Sequence, residues 1–349
     1  MTTADDATET EWLPIGEGLA PMGWELAPQR VEPEANPTYG FQLLVPQKWV
    51  PDRIDEANRP VDADRRTPLA GWHAPVGEGE PAVVFVVEAM GVLRAIRASH
   101  LLRHQAQLSG EQIKVVRELS PYFVDTLLRH EIEGQPFASR SAMWLAGDRA
   151  FVATGVAHID AFEQLNPVFG SMIASLRIDQ RPASPETEPR TAYRLCDRVE
   201  FDVPGSFVPL PLRSEGGRQA IDLVQRSPNR ELTGLLTVDL EPMDSIPDIN
   251  DELRTLVAQL MARGVQFSDE PNHLEVSSGD SPFELRSSMW ADVRSSGSKV
   301  AQEVWMSFIS VDGASLRVAA LGPARAAYFG DWAVLQRGYA ILLESLRPA

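Results

Sequence analysis

A single cysteine, Cys196, stands in a chain of 349 residues. No intrachain disulfide can form, which is what a reducing cytoplasm leads one to expect. Bases are scarce too: 32 Lys and Arg face 49 Asp and Glu, leaving a net charge of −17. Nucleic acid and anionic lipid are both held by clustered Lys and Arg, so neither is an expected partner. Long apolar runs are missing. A membrane helix needs ~20 such residues, and the longest run here, residues 82–87, is strand-sized. The first six residues, Met1 to Asp6, carry neither the basic nor the apolar stretch of a secretory signal. A cytoplasmic protein without direct membrane insertion is the expectation.

Catalytic signatures are equally thin. No Gly-x-Ser-x-Gly elbow occurs. Cys196 has no histidine or basic cluster beside it in sequence, so it reads as a packed thiol and not a nucleophile. His100 and His104 share one helix face, but the Glu of a His-Glu-x-x-His zinc site and a third ligand are both missing. His73, His130, His158 and His273 stand alone. Gly16-x-Gly18 and Gly77-x-Gly79 lie in polar loops without the strand–turn–helix context of a phosphate site. Asp248, Asp251 and Glu252 read as charges favoured at a helix start. The expectation is a protein that is not an enzyme and uses neither cofactor nor metal.

What the chain does contain is one unit written twice. Each copy opens on a strand closed by a short phrase, Val45-Pro46-Gln47-Lys48-Trp49 and then Val203-Pro204-Gly205-Ser206-Phe207. Each ends in a helix finishing in Ser-Leu-Arg, at Ser175-Leu176-Arg177 and at Ser345-Leu346-Arg347. Between them, periodicity predicts strands over residues 41–45, 82–87, 113–119, 123–132, 136–146 and 149–158, with helices over 91–108 and 162–176. In the second copy it predicts strands over 199–203, 235–240, 273–277, 283–293, 299–310 and 314–321, with helices over 248–263 and 324–346. Gly147-Asp148 and Asp312-Gly313 are matching hairpin signals. A nine-residue match, Pro136 to Trp144 against Pro282 to Trp290, falls on different strands of the two copies and is set aside.

The boundaries follow from composition. Residues 1–35 hold eight acids against one base, Arg30, and read as a flexible acidic leader. Residues 36–178 form the first domain, 179–194 with Pro182, Pro185 and Pro189 a semi-rigid linker, and 195–349 the second domain. The closing helices differ in predicted length, about 15 against about 23 residues, which implies diverged halves and an asymmetric groove.

The opening strand, the antiparallel meander and the closing helix resemble the PsbP-like superfamily. That group includes PsbP, the Ran-binding protein Mog, bacterial DcrB and the Eag-type chaperones of type VI secretion effectors. The matching residues run from Phe41 to Trp49 and from Ala161 to Arg177, then from Phe201 to Phe207 and from Tyr328 to Arg347. The resemblance implies an α+β fold, two tandem α/β/α sandwich domains, each an antiparallel sheet flanked by helices. It transfers no catalytic residue.

By role, the resemblance implies a non-enzymatic adaptor or chaperone that shelters apolar segments of a secreted cargo. Its partner would be a secretion effector or an assembly subunit. A structural component of a larger assembly is one alternative. A small-ligand or enzyme site at the domain interface, drawing on His100, His104, His130 or Arg140, is the other. Of the eight tryptophans, Trp49, Trp144, Trp290, Trp305 and Trp332 fall where a core is expected. Trp12, Trp24 and Trp72 fall in leader or loop and are the candidates for partner contact.

Overall fold

The structure, a computed structural model, describes residues 24–54, 60–62, 65–75, 77, 82–180, 182, 184–226, 232–244, 248–274, 282–295 and 300–349. Two units emerge. The first comprises the described residues up to Leu93 together with Leu101–Thr187; the second comprises Arg94–His100 and Glu188–Ala349.

In the first unit the strands are β1 (Leu26–Val31), β2 (Phe41–Pro46), β3 (Val50–Pro51), β4 (Thr67–His73) and β5 (Val84–Gly91). Helix α1 (Ala98–Leu108) starts in the segment grouped with the second unit and is followed by the meander β6 (Gln112–Ser120), β7 (Phe123–Ile132), β8 (Gln135–Ala146) and β9 (Arg149–His158). Helix α2 (Ile159–Ser175) and the short β10 (Arg177–Ile178) close it. Seven strands form one antiparallel sheet in the order β3-β4-β5-β9-β8-β7-β6, while β1, β2 and β10 form a smaller one.

The second unit repeats the plan. Its elements are β11 (Arg190–Leu195), β12 (Val199–Pro204), β13 (Phe207–Pro209), β14 (Arg213–Glu215), β15 (Arg218–Arg226) and β16 (Leu232–Pro242), then α3 (Ile249–Ala262). There follow β17 (Val265–Phe267), β18 (Asn272–His273), β19 (Glu284–Ser295), β20 (Gln302–Val311), β21 (Ala314–Pro323), α4 (Phe329–Glu344) and β22 (Arg347–Pro348). The large sheet runs β13-β15-β16-β21-β20-β19-β17, with β14 on β15 and β18 on β19; β11, β12 and β22 form the small one. Read strand for strand, β16, β21, β20 and β19 take the places of β5, β9, β8 and β7. The α+β architecture with antiparallel sheets is therefore as expected.

The repeated phrases now have physical reasons. Phe41, Leu43 and Val45 alternate inward along β2, as Val199, Phe201 and Val203 do along β12, which is the period of a half-buried strand. The aromatic after each turn, Trp49 or Phe207, is buried against the closing helix: Trp49 lies edge-on to Phe169, and Phe207 occupies the space left by Gly338. The serine of Ser-Leu-Arg fastens that helix to the opening strand. Ser175 Oγ accepts from Leu44 N at 2.8 Å and donates to Met172 O; Ser345 Oγ accepts from Asp202 N at 2.8 Å and donates to Leu342 O. The arginine then pairs as a strand residue, Arg177 opposite Gln42 and Arg347 opposite Glu200.

Several expectations need correction. The leader is not flexible throughout: residues 26–31 are strand β1, paired along β2 from Leu26↔Pro46 to Val31↔Phe41. Residues 190–194, assigned to a linker, pair with β12 as part of β11, because the prolines stop at Pro189 and leave the N–H groups of the strand free to join a ladder. The closing helices are of nearly equal length, 17 residues in α2 and 16 in α4. Pro323 ends β21, and Ala324 to Tyr328 form a turn with Tyr328 N donating to Ala324 O, so helix begins five residues later than periodicity suggested. The asymmetric groove inferred from unequal helices loses its basis. Helix α1 begins at Ala98 and not near 91, since residues 84–91 extend β5. No helix among the described residues is long and apolar enough to cross a membrane.

Candidate functional site

A cavity of about 470 Å³ opens on the second unit between α3 and one face of the large sheet. Sheet register dictates what faces it. Ala220 pairs with Asp239 and Asp222 with Thr237 across β15 and β16, and Asp239 pairs with Arg317 across β16 and β21. Cross-strand partners share a face, so these polar groups and Ala319, two residues beyond Arg317, line one wall. Leu256, Gln259 and Leu260 of α3 line the other, and Arg263, the C-cap of α3, stands at its end. Four arginines border the space: Arg213, Arg218, Arg263 and Arg317.

Three of them are held by carboxylates. Arg213 grips Asp222 through both terminal nitrogens, and Thr237 Oγ1 donates to the same carboxylate at 2.7 Å. Arg218 Nε donates to Asp239 Oδ1 at 2.8 Å, and its Nη2 meets the other oxygen. Arg317, only 3% exposed, pairs with Glu241 and, at 3.4 Å, with Asp239. Its Nε is buried with no hydrogen-bond partner among the described residues. The Asp222 and Asp239 hydrogen bonds are the main cause that raises the pKa of Arg213 and Arg218 further, so both stay charged.

Burial alone would push the Asp222 carboxyl up, but the hydrogen bonds from Arg213 and Thr237 together with the charges of Arg213 and Arg263 hold it below its ordinary value of 3.8. A carboxylate held low stabilises the fold fully above that ordinary value, and the contribution is lost as pH falls through the depressed pKa. Asp222→Asn is expected to flatten the acid limb of the stability profile below pH ~4. Tm against pH checks this, and an acid limb identical to wild type would refute it.

An apolar ridge lies along the sheet edge beside the cavity. β13 is the edge strand of the large sheet, and β14 continues along the same side of β15. Val208, Leu210 and Leu212 on this edge are 50%, 41% and 48% exposed, which for three neighbouring aliphatics is a cost the fold does not recover. Leu210 N donates to Asp222 O, so its N–H points into the sheet. Pro209, its neighbour in the strand, would point outward and has no N–H to offer; Pro211 follows in the irregular stretch before β14. Prolines on an open edge prevent another strand from adding there. The exposed side chains, not the backbone, are what this edge presents. Val208 pairs with Val224, two residues from Asp222, and so lies on the cavity face. The matching edge of the first unit, Val50 and Pro51 of β3, passes at once into Asp52 and Arg53 and carries no such ridge.

The residues singled out from sequence fare differently. Trp12 lies outside the described residues. Trp24 is half-buried and sits edge-on to Trp49 with ring centroids 6.5 Å apart. Trp72 is a core residue, 4% exposed on β4 and packed against Phe85, so it is withdrawn as a contact residue. The charged, proline-containing stretch that precedes it hides β4 in the sequence. Three of the groups named for an interface site have contacts within their own unit. His100 lies against Phe329 and Trp332, and His130 stacks on Phe137. Arg140 is buried against Asp125. Glu252 is no surface charge either: it is 2% exposed and accepts from Arg286 and Ser315. Among the described residues no three His, Cys, Asp or Glu side chains group as metal ligands would.

Sequence reading passed over Arg213, Arg218 and Arg317. A signal was present: Gly216 and Gly217, with φ of 58° and 87°, form the tight turn that sets β14 against β15.

No family model and no curated protein sequence matches this chain. Among solved structures it is similar to the Ran-binding protein Mog1p of Saccharomyces cerevisiae, at 11% identity and TM-score 0.30, over 44% of this chain and 96% of that one. It is similar to cyanobacterial PsbP from Synechocystis, at 8% identity and TM-score 0.27, over 47% of this chain and 99% of that one. It is also similar to the type VI secretion immunity protein TplEi of Pseudomonas aeruginosa, at 12% identity and TM-score 0.24, over 93% of this chain and 97% of that one.

Proposed function

We propose that this chain is a non-enzymatic protein-binding adaptor or chaperone whose contact surface is the edge of the second unit. The observation that carries this reading is the ridge of Val208, Leu210 and Leu212, half exposed on an edge that prolines have closed to strand addition. Within the class, sheltering an apolar segment of a secreted cargo is the role that matches such a ridge. Burying the exposed halves of two leucines contributes roughly 1 kcal/mol each.

The test is capture by the tagged full chain from its native host, wild type against Leu210→Asp/Leu212→Asp. Both side chains are exposed, so the variant keeps its fold, which circular dichroism checks. A stoichiometric protein partner is expected with wild type, bound at least about tenfold more weakly by the variant. Recovery of no partner, or equal recovery by both proteins, would sink the reading. A second reading, a protein that binds a small acid, is favoured by the cavity and requires no protein partner.

A further inference from the structure

We propose that the arginine-lined cavity is a carboxylate pocket that receives an acidic side chain of the protein held on the ridge; this rests on the adaptor reading above. The chain is strongly acidic, yet four arginines converge on this one space. Arg213, Arg218 and Arg317 already answer Asp222, Asp239 and Glu241. Two donors are left over. Arg317 Nε is buried and has no hydrogen-bond partner among the described residues. Arg263, exposed at the rim, makes no salt bridge among the described residues, and its charge helps hold Asp222 ionised.

The resident charge sets the ligand class. With Glu215, which also lines the space, four carboxylates stand against four arginines, so the site is near neutral before anything binds. A dianion such as phosphate would meet that fixed negative charge with little net attraction. A single carboxylate entering the cavity meets Arg263 at the rim and the guanidinium of Arg317 on the wall, with charge-assisted pairing. The setting argues for a side chain over a free acid. Arg213 to Glu215 of β14 flank the same side of β15 as Val208 of β13, so an apolar segment lying on the ridge would bring its acidic residue to the mouth.

Two measurements on the full chain test this. In the first, sodium acetate is titrated at constant ionic strength while the arginine Nε–H resonances are followed by NMR. The Arg317 signal, assigned by its loss in Arg317→Lys, is expected to shift saturably with acetate and not with sodium chloride. No saturable shift, or a stronger response to inorganic phosphate than to acetate, would overturn the pocket. In the second, Arg263→Gln, a surface change that leaves the fold intact, is expected to weaken partner capture about tenfold. Acetate binding combined with capture that ignores Arg263→Gln would leave a small-acid site and overturn the assignment to a partner side chain. Failure to recover any partner sinks the adaptor reading alone, because the acetate titration still decides the pocket.

Discussion

Asp125→Ala is expected to lower the unfolding free energy by about 3–5 kcal/mol. Asp125 on β7 and Arg140 on β8 are 0% and 1% exposed, bonded through Nε–Oδ1 at 3.2 Å and Nη2–Oδ2 at 2.8 Å. Gly170 of α2 makes the room, since a Cβ there would lie 2.4 Å from Arg140 Nη1. Removing Asp125 takes the carboxylate away from a buried guanidinium that cannot shed its proton and for which Asn166 offers only neutral acceptors. Removing Arg140 is gentler, because burial already pushes the Asp125 carboxyl up and the acid can neutralise itself. The order of cost is therefore Asp125→Ala above Arg140→Met. The double change Asp125→Leu/Arg140→Met, which removes both charges, should fall within about 1–2 kcal/mol of wild type. Denaturant midpoints of the three proteins decide it. A double variant as unstable as Asp125→Ala would mean that the pair itself, and not an orphaned charge, stabilises the unit.

The same arginine shows why sequence reading reached the frame of the fold more readily than the site. Arg140 and Arg286 sit at the same place in the nine-residue match, yet β8 and β19 occupy non-equivalent positions in their sheets. Arg140 reaches toward α2, whereas Arg286, at a register shift in β19, reaches Glu252 of α3. Letters alone could not separate the two. The meander of the first unit, β6 to β9, was legible because its strands are long and its β7–β8 and β8–β9 hairpins carry Gly134 and Gly147. β15 was not, because Asp222 and Gln225 occupy inward positions where alternation calls for apolar residues. Asp222 can stand there because β14 and β16 supply Arg213 and Thr237 to it. The cavity arginines span more than a hundred residues of chain, and only the order β15-β16-β21 brings them together. Sequence spacing holds no trace of that. The Ser-Leu-Arg endings, by contrast, were legible because one local bond recurs in both units.

Phe169→Ala should cost about 3–5 kcal/mol. Phe169 is fully buried on α2, with the rings of Trp49, Phe162 and Phe85 at 6.2, 6.2 and 6.4 Å. It rests on the backbone of β9, since a Cβ at Gly155 would lie 2.2 Å from its ring. The second unit uses the same device, with Leu335 of α4 over Gly322 of β21. Gly155→Ala alone should cost about 1–3 kcal/mol, because the ring must shift and its neighbours are packed. Combined with Phe169→Ala, the new methyl group enters space the ring has vacated. The double variant should then be less destabilised than the sum of the two single changes by at least about 1 kcal/mol. Additivity would mean that the ring does not sit on Gly155, and that this glycine is kept for its backbone alone. The φ at Gly155 lies outside the left-handed range, which leaves contact with Phe169 as the reason for glycine there.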